Sequence, residues 1–182
     1  MIKFLAALGL AATALSGVQP AFAAPAAANP NTATGSMGQL LTVDASQNVA
    51  DGQMLNVSGK GYDLKTGIYV TFCVIPPKGK RPELCGPFDI TGKNNQAVWV
   101  SSNPPLYAIT LVKPFTPVTA KVTAGRLKGK TTTTGSFSVQ VPATQKIGSY
   151  DCKVVKCAIL TRADHTQSDN RKADVIIPVT FK

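Results

Sequence analysis

The segment that decides the fold spans residues 69–75 and reads Tyr69-Val70-Thr71-Phe72-Cys73-Val74-Ile75. Successive side chains of a β-strand point to opposite faces of the sheet, so the segment divides into two rows. The row expected to face the core is Val70, Phe72 and Val74. The opposite row is Tyr69, Thr71, Cys73 and Ile75, which is unusually apolar for a solvated surface. This outer face therefore either forms a ligand cleft or is covered by the chain's own residues 113–134.

The same alternation of apolar and polar residues recurs along the chain, and residues 136–141 (SFSVQV) show it clearly. Glycine, proline and asparagine turns separate these runs, and nothing beyond the N-terminal segment has a helical stripe. Further strands are expected at residues 40–43, 55–58, 96–101, 107–112, 153–160 and 175–181. Pro178 lacks an amide hydrogen, which places the last strand at a sheet edge or a bulge. The sequence predicts an all-β antiparallel β-sandwich of about seven to nine strands.

The N-terminal residues 1–23 have the pattern of a signal peptide. Lys3 precedes a twelve-residue apolar run, and Ala21-Phe22-Ala23 offers the small residues that a signal peptidase reads. The run is shorter than the roughly 20 residues that span a bilayer, and a retained anchor is the alternative. We expect a flexible linker at residues 24–38 and one domain at residues 39–182, with an insertion at about 103–134. The mature protein is then secreted or held at the cell envelope, without a transmembrane segment.

The chain is strongly basic, with 19 Lys and Arg against 9 Asp and Glu among its 182 residues. Such a charge attracts anions, and an anionic envelope polymer suits an exported protein. Nucleic acid is not supported, because no recognised binding motif is present and aromatic residues do not interleave with the basic runs. The cations near the cysteines are Lys78, Lys80, Arg81, Lys153, Lys156, Arg162, Arg171 and Lys172.

His165 is the single histidine of the chain. As a haem or metal ligand it needs help from a tyrosine or an aspartate, and the adjacent Asp164 points away from it in an extended strand. We therefore expect His165 to lie in a surface loop. The sequence also lacks the G-x-S-x-G elbow of a serine hydrolase. We expect no enzyme, no cofactor and no metal.

Four cysteines, Cys73, Cys85, Cys152 and Cys157, allow three disulfide pairings. Proximity in sequence favours Cys73 with Cys85 and Cys152 with Cys157. Loops this short stabilise a fold by roughly 2 to 3 kcal/mol each. The spacings are not those of a zinc site.

These cysteines stand in a pattern of motifs that spans much of the chain. The motifs, in order, are Thr42-Val43-Asp44, Asp51-Gly52-Gln53, the run LNVSGKGY at residues 55–62, Gly67-Ile68-Tyr69-Val70, Cys73, Cys85, Asp151-Cys152, Cys157 and the closing strand at residues 175–181. This pattern resembles the neocarzinostatin family, secreted apoproteins that carry enediyne chromophores, over about residues 40–90 and 134–182. Residues 93–133 form a long divergent middle section.

The resemblance implies an immunoglobulin-like sandwich, the two disulfides that proximity favours, and a cleft beside them for an apolar ligand. Phe88 is the nearest match to an aromatic that lines this cleft. Ile75 stands where family members tend to have an aromatic residue, and Ala158 where they tend to have a polar one.

The candidate ligand-binding residues are Tyr69, Thr71, Ile75, Phe88, Trp99 and Ala158. The predicted function is a secreted, non-catalytic carrier of an apolar small molecule. The alternative is a basic immunoglobulin-like envelope module that binds an anionic polymer or a protein. A third hypothesis, haem or metal capture through His165, is also testable.

Overall fold

A computed structural model describes residues 29–108, 112–123 and 128–182 of the chain. The predicted signal peptide, residues 1–23, lies outside the described residues. The strands are β1 (Thr32–Thr34), β2 (Leu40–Val43), β3 (Met54–Tyr62), β4 (Ile68–Val74), β5 (Ala97–Ser101), β6 (Val112–Pro114), β7 (Thr116–Lys121), β8 (Thr131–Pro142), β9 (Lys146–Ile147), β10 (Tyr150–Asp151), β11 (Cys157–Ala163) and β12 (Val175–Val179). Short 3₁₀ helices lie at Pro104–Ala108, His165–Gln167 and Arg171–Ala173.

Ten of these strands form two five-stranded sheets, which pack face to face. Sheet one has the order β1-β2-β3-β8-β7, and sheet two has the order β12-β11-β4-β5-β6. Neighbours pair antiparallel except β5 and β6, which pair parallel. The remaining hairpin, β9 with β10, stands apart from both sheets. In the part of the chain that the structure describes, no helix is long and apolar enough to cross a membrane.

The core lies between the two sheets. Val70 and Phe72 are both 0% exposed, and Val74 packs against the core at its margin, as the alternation in residues 69–75 predicts. Burying such side chains is the main favourable term in folding. The predicted all-β antiparallel sandwich with two short-loop disulfides is confirmed. Very short strands such as β1, β6 and β9 raise the number of strands above the predicted seven to nine.

Several predicted boundaries shift for identifiable local reasons. Thr32–Thr34 forms β1 and pairs with β2, so the predicted linker at residues 24–38 contains a strand of sheet one. The strand expected at residues 107–112 is replaced at its start by the helix Pro104–Ala108, which begins at the Pro104-Pro105 pair. Two prolines fix the backbone at φ values that a helix accepts in its first turn. Pro178 lies in β12, an edge strand, as predicted.

The strand predicted at residues 153–160 begins late because a turn occupies its first residues. The amides of Val154 and Val155 donate to the carbonyl oxygen of Asp151, at 2.8 and 2.9 Å. The disulfide Cys152–Cys157 closes this turn, and β11 starts only at Cys157.

Part of the insertion predicted at about residues 103–134 forms a hairpin with the strand that follows it. Strand β7 pairs with β8 from Thr116 opposite Ser136 to Lys121 opposite Thr131, and every residue of β7 is exposed. The hairpin extends the edge of sheet one and does not lie over the outer face of sheet two.

The outer face of sheet two is covered instead by residues 75–96, which we call the covering loop. The disulfide Cys73–Cys85 attaches this loop to β4, and the Gly86 amide donates to the Phe72 carbonyl oxygen at 2.8 Å. The hydroxyl of Thr71 lies 3.1 Å from the carbonyl oxygens of both Gly86 and Gln96. The expectation that residues 113–134 cover this face is therefore wrong. Backbone groups of Leu84, Gly86 and Gln96 in the covering loop thus form hydrogen bonds with β4.

Candidate functional site

A cross-strand row of side chains on the outer face of sheet two positions the site. Tyr69 on β4 stands opposite Trp99 on β5 and opposite Arg162 on β11. Directly opposed residues of antiparallel strands place their side chains next to each other on one face. The row runs from Trp99 through Tyr69 to Arg162.

An aromatic cluster forms where the covering loop meets this row. Phe88 from the loop packs against Tyr69 and Trp99, with ring centroids 5.5 and 5.8 Å apart, and the Tyr69 and Trp99 rings are 5.9 Å apart. These separations are typical of favourable aromatic pairs. Three of the six predicted site residues are thus in mutual contact.

Asp164 fixes the position of the Trp99 indole through a hydrogen bond. Its Oδ2 atom accepts a hydrogen bond from Trp99 Nε1 at 3.0 Å, and its Oδ1 atom accepts from the amide and the hydroxyl of Thr166 at 2.9 and 2.6 Å. The carboxylate is 3% exposed and caps the helix His165–Gln167. Gly67 permits this approach, because a Cβ atom on any other residue at this position would lie 2.0 Å from Asp164 Oδ2.

His165 begins the helix that Asp164 caps, so the extended strand assumed in the sequence analysis is not formed here, and both side chains contact Trp99. Its Nδ1 atom lies 2.8 Å from the hydroxyl oxygen of Tyr69. Its ring packs edge-on against Trp99, with centroids 5.0 Å apart. His165 is an exposed residue, as expected, but its ring is held by two members of the aromatic cluster.

The electrostatics of the row keep Tyr69 a neutral phenol. Burial raises the pKa of Tyr69, and the negative charge of Asp164 raises it further, while Arg162 opposes both. The Arg162 guanidinium carbon lies 5.6 Å from the centre of the Tyr69 ring, and Nη1 donates to the Pro82 carbonyl oxygen at 2.9 Å. Burial, and next the positive charge of Arg81, lower the pKa of Arg162.

A cleft of about 450 Å³ opens beside this cluster, and we call it the Trp99 cleft. Its lining combines apolar side chains, an aromatic edge and polar groups. The lining residues are Leu64, Lys65, Gly67, Trp99, Ser101, Ser102, Asn103, Pro104, Leu106, Asp164, His165 and Thr166. The Oγ atom of Ser102 is buried in its wall and has no hydrogen-bond partner among the described residues. Such an orphaned polar atom indicates a wall that is incomplete without a water or a ligand.

Of the six predicted site residues only Trp99 lines this cleft, and Tyr69 and Phe88 are connected to it through their ring contacts with Trp99. Thr71 is 1% exposed and Ala158 is 0% exposed, because the covering loop lies over Thr71 and Ala158 stands opposite Cys73 beneath it. Ile75 is half-buried and lines a separate cavity of about 440 Å³ next to the first disulfide. A cavity therefore does lie beside the first disulfide, as the resemblance implies, but among the six predicted site residues only Ile75 lines it. Trp99 lines the separate Trp99 cleft.

Several residues of the Trp99 cleft were not predicted from the sequence. The run Ser102-Asn103-Pro104-Pro105 directly after β5 is typical of a turn, and turns carry binding residues more often than strands do. Asp164-His165-Thr166 has the spacing of an aspartate that caps a helix, which is a signal for the turn but not for its contact with Trp99.

A second group of charges lies at the other end of the row, and we call Arg81, Arg162 and Arg171 the arginine cluster. The charges of Arg81 and Arg171 both lower the pKa of Arg162, so the three guanidinium groups interact. Arg171 Nη1 forms an ion pair with Asp174 Oδ2 at 2.7 Å. Burial nevertheless raises the pKa of Asp174 to about 6, against the opposing effect of Arg171.

No protein-family model and no curated protein matches the chain. Among solved structures the fold is similar to macromomycin, with 15% sequence identity and a TM-score of 0.40 over 79% of this chain and 99% of that chain. This similarity transfers neither a ligand nor a residue role to this chain. Membership of the neocarzinostatin family, with the ligand that it implies, remains a prediction.

Proposed function

We propose that the protein is a secreted, non-catalytic binding protein that holds an amphipathic small molecule in the Trp99 cleft. The observation that carries the proposal is the cleft itself, about 450 Å³ beside a tryptophan whose indole is fixed by Asp164. This volume lies within the range of roughly 300 to 1,000 Å³ that is typical of small-molecule sites. A side chain held by its neighbours before binding loses little entropy when the ligand arrives.

The lining indicates the kind of ligand. Leu64, Pro104 and Leu106 offer apolar surface, Trp99 offers an aromatic edge, and Lys65 is an exposed cation at the rim. A flat apolar body with a polar or anionic edge complements these groups. The ligand is therefore closer to an amphipathic aromatic compound than to a sugar or a free ion.

The environment of the ionisable groups supports a binding role over catalysis. The Asp164 carboxylate accepts three hydrogen bonds from its own chain, and Tyr69 is held as a neutral phenol. Both groups are thereby used to fix the cluster. Two disulfides support a location outside the cytoplasm, where such bonds persist.

Substituting Leu106→Glu is expected to weaken ligand binding at least about tenfold, because it places a negative charge on the apolar wall of the cleft, where it also repels an anionic ligand. Anilinonaphthalene sulfonate is a suitable probe, since it has an aromatic body and an anionic group. Trp99 is the single tryptophan of the chain, so quenching of its emission reports occupancy of the cleft directly.

The matched control is Leu84→Glu, the same change at the cavity beside the first disulfide. This variant is expected to bind the probe as the unaltered protein does. If Leu84→Glu abolishes binding and Leu106→Glu does not, the ligand site is the cavity at the disulfide and the proposal is wrong.

The arginine cluster favours a second candidate function, the binding of an anionic polymer. Two of its guanidinium groups, those of Arg162 and Arg171, interact with the Asp174 carboxylate, whose ionisation is itself disfavoured by burial. Clustered guanidinium groups suit phosphate, sulfate or carboxylate ligands. A partner of this kind binds more weakly as salt concentration rises.

This candidate predicts a pH-dependent affinity for a sulfopropyl matrix, whose own charge is constant. As the pH falls through about 6, Asp174 gains a proton and the cluster gains one net positive charge, so the salt concentration needed for elution rises. The variant Asp174→Asn removes this increment. Arg81→Ala is expected to lower the salt concentration needed for elution more than Lys121→Ala does, although Lys121→Ala removes the same charge from β7. Equal effects of the two variants contradict a dedicated surface.

A further inference from the structure

The two nitrogens of the His165 ring have different surroundings. Nδ1 lies 2.8 Å from the Tyr69 hydroxyl oxygen, whereas Nε2 has no hydrogen-bond partner among the described residues. The ring belongs to the lining of the Trp99 cleft, and the residue is exposed. Nε2 is therefore available to a ligand.

The contact with Tyr69 allows a defined tautomer of His165. With the ring proton on Nδ1, that nitrogen donates to the Tyr69 hydroxyl oxygen and Nε2 keeps a free lone pair. Histidines that bind metals usually donate through their second nitrogen in this way, which fixes the ring and raises its basicity. Tyr69 can thus orient the His165 ring by a hydrogen bond, although it is not placed as a second ligand to the same metal.

One imidazole cannot hold a bare ion. No group of three or more His, Cys, Asp or Glu side chains is placed to hold a metal within residues 29–108, 112–123 and 128–182. A transition metal that binds here must bring its other ligands with it. A metal held in a flat macrocycle meets this requirement, because it needs the protein for an axial ligand only.

The walls of the Trp99 cleft suit such a macrocycle. Leu64, Pro104 and Leu106 provide apolar surface, and Lys65 at the rim can pair with a carboxylate at the ligand's edge. The His165 ring stands at 66° to the Trp99 indole, so a plate held by His165 has an aromatic group beside it. The cleft is open to solvent on one side, which leaves room for part of a large ring to extend outward.

We propose that the Trp99 cleft binds a metalloporphyrin, with His165 Nε2 as an axial ligand and Tyr69 as the positioning residue. This inference rests on the proposed function and names its ligand class. Binding forms one bond, from the Nε2 lone pair to the metal, and releases the water or hydroxide that held that axial position. The oxidation state of the metal does not change.

The test titrates the disulfide-bonded protein with haemin and, separately, with metal-free protoporphyrin. Both compounds are expected to quench Trp99, and haemin is expected to bind more tightly and to shift and sharpen its Soret band. In His165→Gly, haemin affinity is expected to fall to that of protoporphyrin, and added imidazole is expected to restore the Soret shift. Tyr69→Phe is expected to keep the band and to lose about tenfold in haemin affinity, the usual cost of removing a ligand's hydrogen-bond partner.

The outcomes separate this inference from the proposed function. Equal affinities for haemin and protoporphyrin, unchanged in His165→Gly, contradict metal ligation but leave the small-molecule cleft intact. Loss of the haemin spectrum in Tyr69→Phe and not in His165→Gly shows that the phenol is the ligand and overturns the assignment. If anilinonaphthalene sulfonate binds and neither porphyrin does, the ligand class is wrong. If none of the three quenches Trp99, the proposed function fails as well.

Discussion

Removing the first disulfide, with the double variant Cys73→Ala/Cys85→Ala, is expected to lower the free energy of unfolding by about 3 kcal/mol. The bond closes a loop across a sequence separation of 12 residues, and restricting the unfolded chain to this extent gives a stabilisation of that size. Cys73 is fully buried on the outer face of sheet two, so its replacement also removes packing beneath the covering loop. Denaturant unfolding monitored by circular dichroism measures the loss.

The same variant is expected to weaken binding at the Trp99 cleft. Phe88 lies in the covering loop, three residues after Cys85, and packs against Tyr69 and Trp99. Once the loop can separate from β4, these ring contacts are made less often, and Trp99 emission shifts to the red.

The second disulfide provides the matched control. The variant Cys152→Ala/Cys157→Ala opens a loop with a separation of 5 residues, and the expected loss is about 2 kcal/mol with Trp99 emission unchanged. If both variants shift the emission equally, the covering loop is not held through Cys73–Cys85.

The variant Asp164→Ala, which removes a buried carboxylate, is expected to lower the free energy of unfolding by about 3 kcal/mol. Hydrogen bonds to a charged group contribute roughly 1.5 to 3 kcal/mol to stability, and the buried donors are left without a partner. The Asp164 carboxylate is the hydrogen-bond acceptor for the indole N–H of Trp99 and for the amide of Thr166. Trp99 is only 6% exposed, so its N–H cannot easily turn to water instead. The helix His165–Gln167 loses its cap in addition.

Two variants test whether the effect arises from these bonds. Asp164→Asn keeps one oxygen acceptor and is expected to lose about half as much stability as the alanine variant. Asp169→Ala removes an exposed carboxylate in the neighbouring turn and is expected to leave stability and Trp99 emission unchanged. Equal losses in Asp164→Ala and Asp169→Ala contradict the structural role of Asp164.

The fold was predictable because its signals are local. Alternation in residues 69–75 and 136–141 identifies strands that are half-buried, and short sequence separations favour the disulfide pairs that form. The boundaries at residues 107–112 and 153–160 were not predictable from apolar content. There the Pro104-Pro105 pair and the turn closed by Cys152–Cys157 override strand propensity.

The site was only partly predictable because it depends on register between distant strands. The sequence identifies Tyr69, Phe88 and Trp99 as candidate ligand-binding residues, but the contacts of Tyr69 and Trp99 with His165 and Asp164 require β4 to pair with β5 and β11 as it does. Thr71 and Ala158 were assigned to an open surface because nothing in the sequence shows that residues 75–96 fold back over β4. Pairing between distant segments is set by tertiary packing.

Strand β7 has a consequence for how the protein behaves at high concentration. It ends sheet one with every residue exposed, and a free strand edge of this kind can recruit the edge of another molecule into a growing fibre. Pro117 removes one amide donor from that edge and Lys121 adds a charge, two devices that oppose self-assembly. The basic hairpin thus helps to keep neighbouring molecules apart.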